Sequence, residues 1–213
     1  MVNLEDKESI VDFKNTLSTI ESKINGVLDE LEKKGSKRPK TLIKKCAEQF
    51  KYHPDKSFIN PIVLPVTIIC TNFNSFKQMD SLTRRTGTNL LRLLALKKFA
   101  SIFFVDFKAD AGSLKVLKNH LNFTIFKQSK NVNAQMDFAK GFAILAGMDN
   151  SKSIMDTQGD PSVSLEALQE EFNNIPSYAN KTEVKVNQKA NEERIDAILK
   201  QRQEKLYLSN FTK

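Results

Sequence analysis

Apolar residues fall along this chain in two rhythms. Between Ser9 and Lys33 the positions Ile10, Phe13, Leu17, Ile20, Ile24, Val27, Leu28 and Leu31 recur three or four apart, the spacing that lines one stripe of an α-helix. Gly35 follows where a helix C-cap stands. Pro39 opens a second helical stretch, Thr41 to Phe50, because proline is tolerated in a first turn; His53-Pro54-Asp55 then breaks it. The rhythm changes at Ile62 to Cys70, IVLPVTIIC, a continuous run rich in β-branched residues. Such a run suits a strand buried on both faces of a parallel sheet. Proline cannot donate to a ladder, so the regular strand is expected from Val66, just past Pro65.

Helical spacing returns from Asp80 to Phe99, with Leu82, Leu90, Leu93, Leu94 and Leu96 offered to a buried face, and Ser101 to Phe107, SIFFVDF, reads as another strand. Strand, helix, strand is the unit that builds a parallel sheet, so an α/β fold is expected. Leu114 to Phe126 contains FTIF, which alone reads as a strand, yet Leu114, Leu117, Leu121 and Ile125 keep helical spacing and favour a helix. Gly141 to Gly147, GFAILAG, is open to two readings, a third strand or the end of a helix. Leu165, Leu168 and Phe172 predict a short helix that Pro176 ends, and Ala190 to Leu206 a highly charged one with Ile195, Ile198, Leu199 and Leu206 as its stripe.

Composition narrows the class. The 213 residues suffice for one domain with an extension, and 40% apolar with 27% charged residues is a globular balance. Cys46 and Cys70 make no disulfide framework and no C-x-x-C pair; with only His53 and His120, a histidine-based metal site has no third ligand at a recognisable spacing. A reducing, cytosolic setting is expected. No apolar run reaches the roughly 18 residues of a membrane span, and MVNLEDKESI is polar where a signal peptide is basic and then apolar. The net charge of +8 invites nucleic acid, but the densest basic runs, Lys37 to Lys45 and Lys97 to Lys98, are interrupted by Pro39 or flanked by apolar residues. No zinc finger, RNP-type sheet or GXXG loop accompanies them, so they read as solvated helix faces.

Chemistry is sparse. A Walker A loop needs G-x-x-x-x-G-K-[ST] so that backbone amides cradle phosphate while Lys neutralises it; no two of the seven glycines stand five apart, and G-x-G-x-x-G is absent too. His53-Pro54-Asp55 matches the J-domain tripeptide, but a strand follows it instead of a second helix, and a turn explains it better. Cys70, at a strand end, has no base assigned to it and reads as a packing residue. Asp106 and Asp149 are expected to be solvated or capping.

Taken together, LEKKGSKRPKTLIKKCAEQF, KYHPDKSFINPIVLPVTIICTNFNSF, KFASIFFVDFKADAGSLKVLKNHL, GFAILAGMDN and the tail SYANKTEVKVNQKANEERIDAILKQRQEKL resemble, in order and spacing, the light intermediate chains of cytoplasmic dynein-2. The resemblance implies a partial, degenerate Ras-like (P-loop GTPase-like) α/β domain. Residues 1–55 would be an N-terminal helical segment of that G-like domain, 56–150 its C-terminal half, and 151–213 a helical extension.

By that mapping Thr71, Asn72, Phe73 and Asn74 stand where a G-domain carries its guanine-reading N-K-x-D, and Asn74 lacks the second carboxylate oxygen that accepts from guanine. Val105-Asp106-Phe107 does not preserve the S-A-K loop. Guanine binding is therefore not expected, nor any cofactor, metal or catalytic residue. Family members usually begin with further strands and a P-loop-like region, and this chain starts about where that segment ends. The strand at Val66 is thus expected to lack a neighbour and the chain to depend on a partner.

The resemblance implies a non-catalytic subunit bound to the dynein-2 heavy-chain tail and other dynein-2 subunits. Ile195, Ile198, Leu199 and Leu206 are the candidate contacts. Cytoplasm, cilium or flagellum, axoneme and basal body are the expected locations; nucleic acid, membrane insertion and a small-molecule substrate are not expected. The rivals are a GTPase-like regulator that keeps its nucleotide and a basic nucleic-acid-binding module.

Overall fold

The computed structural model describes residues 1–107, 111–126, 142–158 and 164–176. Among these residues four strands form one mixed sheet in the order β1 (Val2–Asn3), β2 (Thr67–Thr71), β3 (Ser101–Phe104), β4 (Ala143–Ile144). β1 and β3 each pair parallel to β2, with Val2 opposite Cys70 and Thr67 opposite Ser101, and β4 closes the other edge antiparallel to β3, with Ile102 opposite Ile144. The Val66 carbonyl accepts from the Ser101 amide at 3.0 Å, so pairing begins directly after Pro65, as its missing donor requires. GFAILAG contributes a strand.

β1 corrects the expectation of a bare neighbour position beside β2. Leu4 donates to the Thr71 carbonyl at 3.1 Å, and Val2 and Leu4 are fully buried. Asn3, between them, has its amide bound to Ser9 Oγ at 3.0 Å and its carbonyl to the Asp6 amide at 3.3 Å. These local bonds occupy main-chain groups that an edge strand otherwise leaves to water or another chain.

The single helix read from Ser9 to Lys33 is divided at Asp12 into α1 (Lys7–Val11), capped by the Asp6 side chain, and α2 (Phe13–Lys33). Gly35 ends α2 at φ +77°, with Gly35 N bound to Glu32 O and Ser36 N to Leu31 O. That pair of bonds is a Schellman cap, which glycine adopts without Cβ strain. α3 (Arg38–Gln49) packs back on α2 with Pro39 and Cys46 inward. A short α4 (Phe73–Lys77), not anticipated from the pattern, follows β2, and α5 (Ser81–Lys97) starts at Asp80, whose carboxylate accepts from the Thr83 amide. Leu82, expected on the buried face of α5, is exposed.

Alternation along β3 divides the core. Ile102 and Phe104 face the large cluster built with α1, α2 and α5, while Phe103 and Val105 join Leu117 of α6 (Ala111–Phe126) and Leu145 in a smaller one. The helical reading of 114–126 holds. α7 (Ser151–Gln158) and α8 (Leu165–Asn174), in the stretch read as an extension, pack on α5, and their Ile154, Leu168 and Phe172 lie in the large cluster.

Candidate functional site

In open parallel sheets ligands sit outside the carboxyl ends of the strands, where Thr71 to Asn74 lie. Asn72 turns the chain there in the left-handed region, at φ 61°. Its carboxamide donates to Asn3 Oδ1 at 2.8 Å and to Glu5 Oε2 at 3.0 Å, so its donors are spent on the exit of β1. Thr71 Oγ1 donates to the Val2 carbonyl. Phe73 is buried, meets Phe104 edge-on at 5.7 Å between centroids and donates its amide to the Val105 carbonyl. Asn74 is half-buried on α4. The four positions are thus brought together, but Thr71, Asn72 and Phe73 spend these bonds and contacts on the protein itself.

A second cluster joins the His53-Pro54-Asp55 turn to the segment after β4. His53 Nδ1 accepts from the Asp55 amide at 3.1 Å, which leaves Nε2 as the protonated nitrogen, donating to the Asp149 carbonyl at 2.9 Å. The Asp55 carboxylate accepts from both the amide and the hydroxyl of Ser151. Asp149, expected to be solvated or capping, is buried: its carboxylate takes Arg92 Nε at 2.8 Å and Nη2 at 2.7 Å, both side chains at most 7% exposed. The tripeptide is therefore a staple as well as a turn, tying the end of α3 to the start of α7. The signal in the sequence was Arg92, a cation inside the apolar run LLRLLALK, which burial obliges to find a fixed anion.

Lys7 was missed altogether. It is buried, and its ammonium donates to the carbonyls of Asn173, at 2.7 Å, and Ile175. A cation there answers the negative end of the α8 dipole and bonds carbonyls the helix leaves unpaired. Cys70 is fully buried, which pushes its thiol well above the ordinary range; burial raises Cys46 as well, so neither is poised as a thiolate. Among the described residues no three His, Cys, Asp or Glu side chains group as metal ligands, and no helix is long and apolar enough to cross a membrane. Ile195, Ile198, Leu199 and Leu206 lie outside the described residues.

The fold and site define a mixed α/β protein in which the turn after β2 is tied up by the protein's own side chains. No family model matches the chain. It is a relative of the cytoplasmic dynein 2 light intermediate chains, as the motif order implied. It is 30% identical to cytoplasmic dynein 2 light intermediate chain 1 of Bos taurus over 143 residues, 67% of this chain and 40% of the relative. The Homo sapiens protein of that name is 28% identical over 71% of this chain and 42% of the relative, and that of Danio rerio 28% over 64% and 39%. The match thus spans about two fifths of these relatives' length. A crystal structure of "the Dynein Light Intermediate Chain's Conserved Domain" overlaps 56% of this chain and 44% of its own at TM-score 0.40 and 11% identity, an overlap too slight to assign a fold.

Proposed function

We propose that this chain is a non-catalytic accessory subunit of the cytoplasmic dynein-2 motor that binds and stabilises the heavy-chain tail in support of retrograde intraflagellar transport and cilium assembly. The observation that carries this reading is the 28–30% identity to dynein-2 light intermediate chains over roughly two thirds of the chain. The fold in this proposal is the later part of a degenerate Ras-like domain, consistent with a parallel β1-β2-β3 core covered by helices on both faces. The non-catalytic part is supported by Asn72 and Phe73, which are engaged with Asn3, Glu5 and Phe104 in place of a base. Ile195, Ile198, Leu199 and Leu206 remain the candidate heavy-chain contacts, and cytoplasm, cilium and basal body the proposed locations.

The test is co-purification of the full chain with a recombinant dynein-2 heavy-chain tail. Stable association is expected, weakened by Ile198→Asp with Leu199→Asp in a chain that melts like the wild type. No association under conditions where the relatives associate would sink the reading. Titration with a fluorescent GTP analogue should show no saturable binding; clear affinity would favour the GTPase-like regulator instead.

A further inference from the structure

Positive charge is concentrated along the sequence around α3. Nine of the 33 Lys and Arg fall between residues 33 and 56, against only Glu48 and Asp55, a local +7 in a chain whose net charge is +8. Asp29, Glu30 and Glu32 precede the stretch, and Glu32 bridges Lys40 at 3.2 Å with both side chains open to water. In the sequence Pro39 interrupts this run; in the fold it does not. Pro39 and Cys46 turn inward, while Lys37, Lys40 and Lys44, three and four residues apart, line one exposed strip that Glu48 tempers at one end. Beside it Ile43 is 51% exposed, and past the helix end Tyr52 is 89% exposed, with Lys51 Nζ 5.2 Å from its ring centroid.

We propose that this face docks peripherally on an anionic membrane surface. Eight of the nine cations are lysines and one is Arg38. Lysine is a mobile point charge, whereas arginine makes the planar two-pronged contact that fixes a carboxylate or phosphate in a specific geometry. A lysine strip on the convex outside of one helix answers the spread charge of anionic headgroups, each cation near the surface contributing about fivefold in affinity. Ile43 and Tyr52 add the apolar and amphipathic contacts that settle at headgroup level. This proposal stands apart from the heavy-chain reading and uses other residues.

The test is sedimentation of the full chain with vesicles of phosphatidylcholine alone or with about a quarter phosphatidylserine. Binding is expected only to the anionic vesicles, falling steeply with salt. It should drop at least about a hundredfold in Lys37→Glu/Lys40→Glu/Lys44→Glu and survive in the triple Lys→Arg chain, since charge is kept. Should the triple reversal fail to fold, as judged by its circular dichroism melt, Lys44→Glu alone serves, with a loss of at least about fivefold. No binding to anionic vesicles, or binding that the reversals leave unchanged, overturns the proposal. So does tighter, equally Lys-dependent binding to polyglutamate or to duplex RNA, which would assign the face to an acidic polypeptide or a nucleic acid.

Discussion

Helices α2 and α5 are of similar length, 21 and 17 residues, yet α5 buries twelve of its residues and α2 only Phe13, Leu17 and Leu28. The difference comes from what packs on each. α2 meets α1 and α3, and most of its remaining surface stays open; α5 meets β3, α7 and α8. A helix covered on one side keeps its polar face in water. One covered on several sides must bury polar groups and find them partners, and Thr83, Thr86, Asn89 and Arg92 of α5 are all buried.

The largest expected effect therefore lies at Arg92. Asp149→Ala leaves the guanidinium buried without its carboxylate and should cost about 3–5 kcal/mol in urea unfolding, whereas Arg92→Leu with Asp149→Leu should cost much less, because desolvation offsets most of what the pair contributes. A single-variant loss below about 1 kcal/mol is what an exposed pair gives, and would contradict the enclosure of α5. Next is the clamp on α8, which in turn covers α5. Lys7→Met keeps the aliphatic stem but abandons the Asn173 and Ile175 carbonyls, for about 1–3 kcal/mol, again read from the urea midpoint.

How far all this could be read in advance follows the same contrast. β2, α3, α5, β3, α6 and the Gly35 cap were legible because local periodicity and one glycine encode them. β1 was not: Val2-Asn3-Leu4 is too short to show a period, and its strand identity comes from pairing with Cys70 and Thr71, far along the chain. α4 is five residues, and β4 two inside an ambiguous run. At the candidate site the place of Thr71 to Asn74 at the end of a strand was legible. The engagement of Asn72 with Asn3 and Glu5 was not, nor that of Asp149 with Arg92, because hydrogen-bond partners tens of residues apart leave no local pattern.

The same substitution made on both helices sharpens the comparison. In Gly87→Ala the new Cβ of α5 would stand 3.0 Å from Phe172 Cε2 and 3.4 Å from Phe76 Cζ. Overpacking against two buried rings costs about 1–3 kcal/mol, which offsets or exceeds the helix-propensity gain of about 1 kcal/mol. A net loss of up to about 2 kcal/mol is expected, and a gain would mean the rings can yield.

Gly26→Ala is the counterpart on α2 and the smallest effect. Nothing lies within 4 Å of its added Cβ, and the position is exposed within the helix. Only the backbone term remains: alanine restricts the unfolded chain and prefers the helix, so stability should rise by about 0.5–1 kcal/mol. The two glycine variants should thus move the urea midpoint in opposite directions. If Gly26→Ala lowers it, α2 has a neighbour at that position and is not the one-sided helix described above. If both raise it, the close approach of α5 to Phe172 is softer than 3.0 Å implies. The sign of each shift reads the enclosure of its helix directly, because propensity is the same for both and only the surroundings differ.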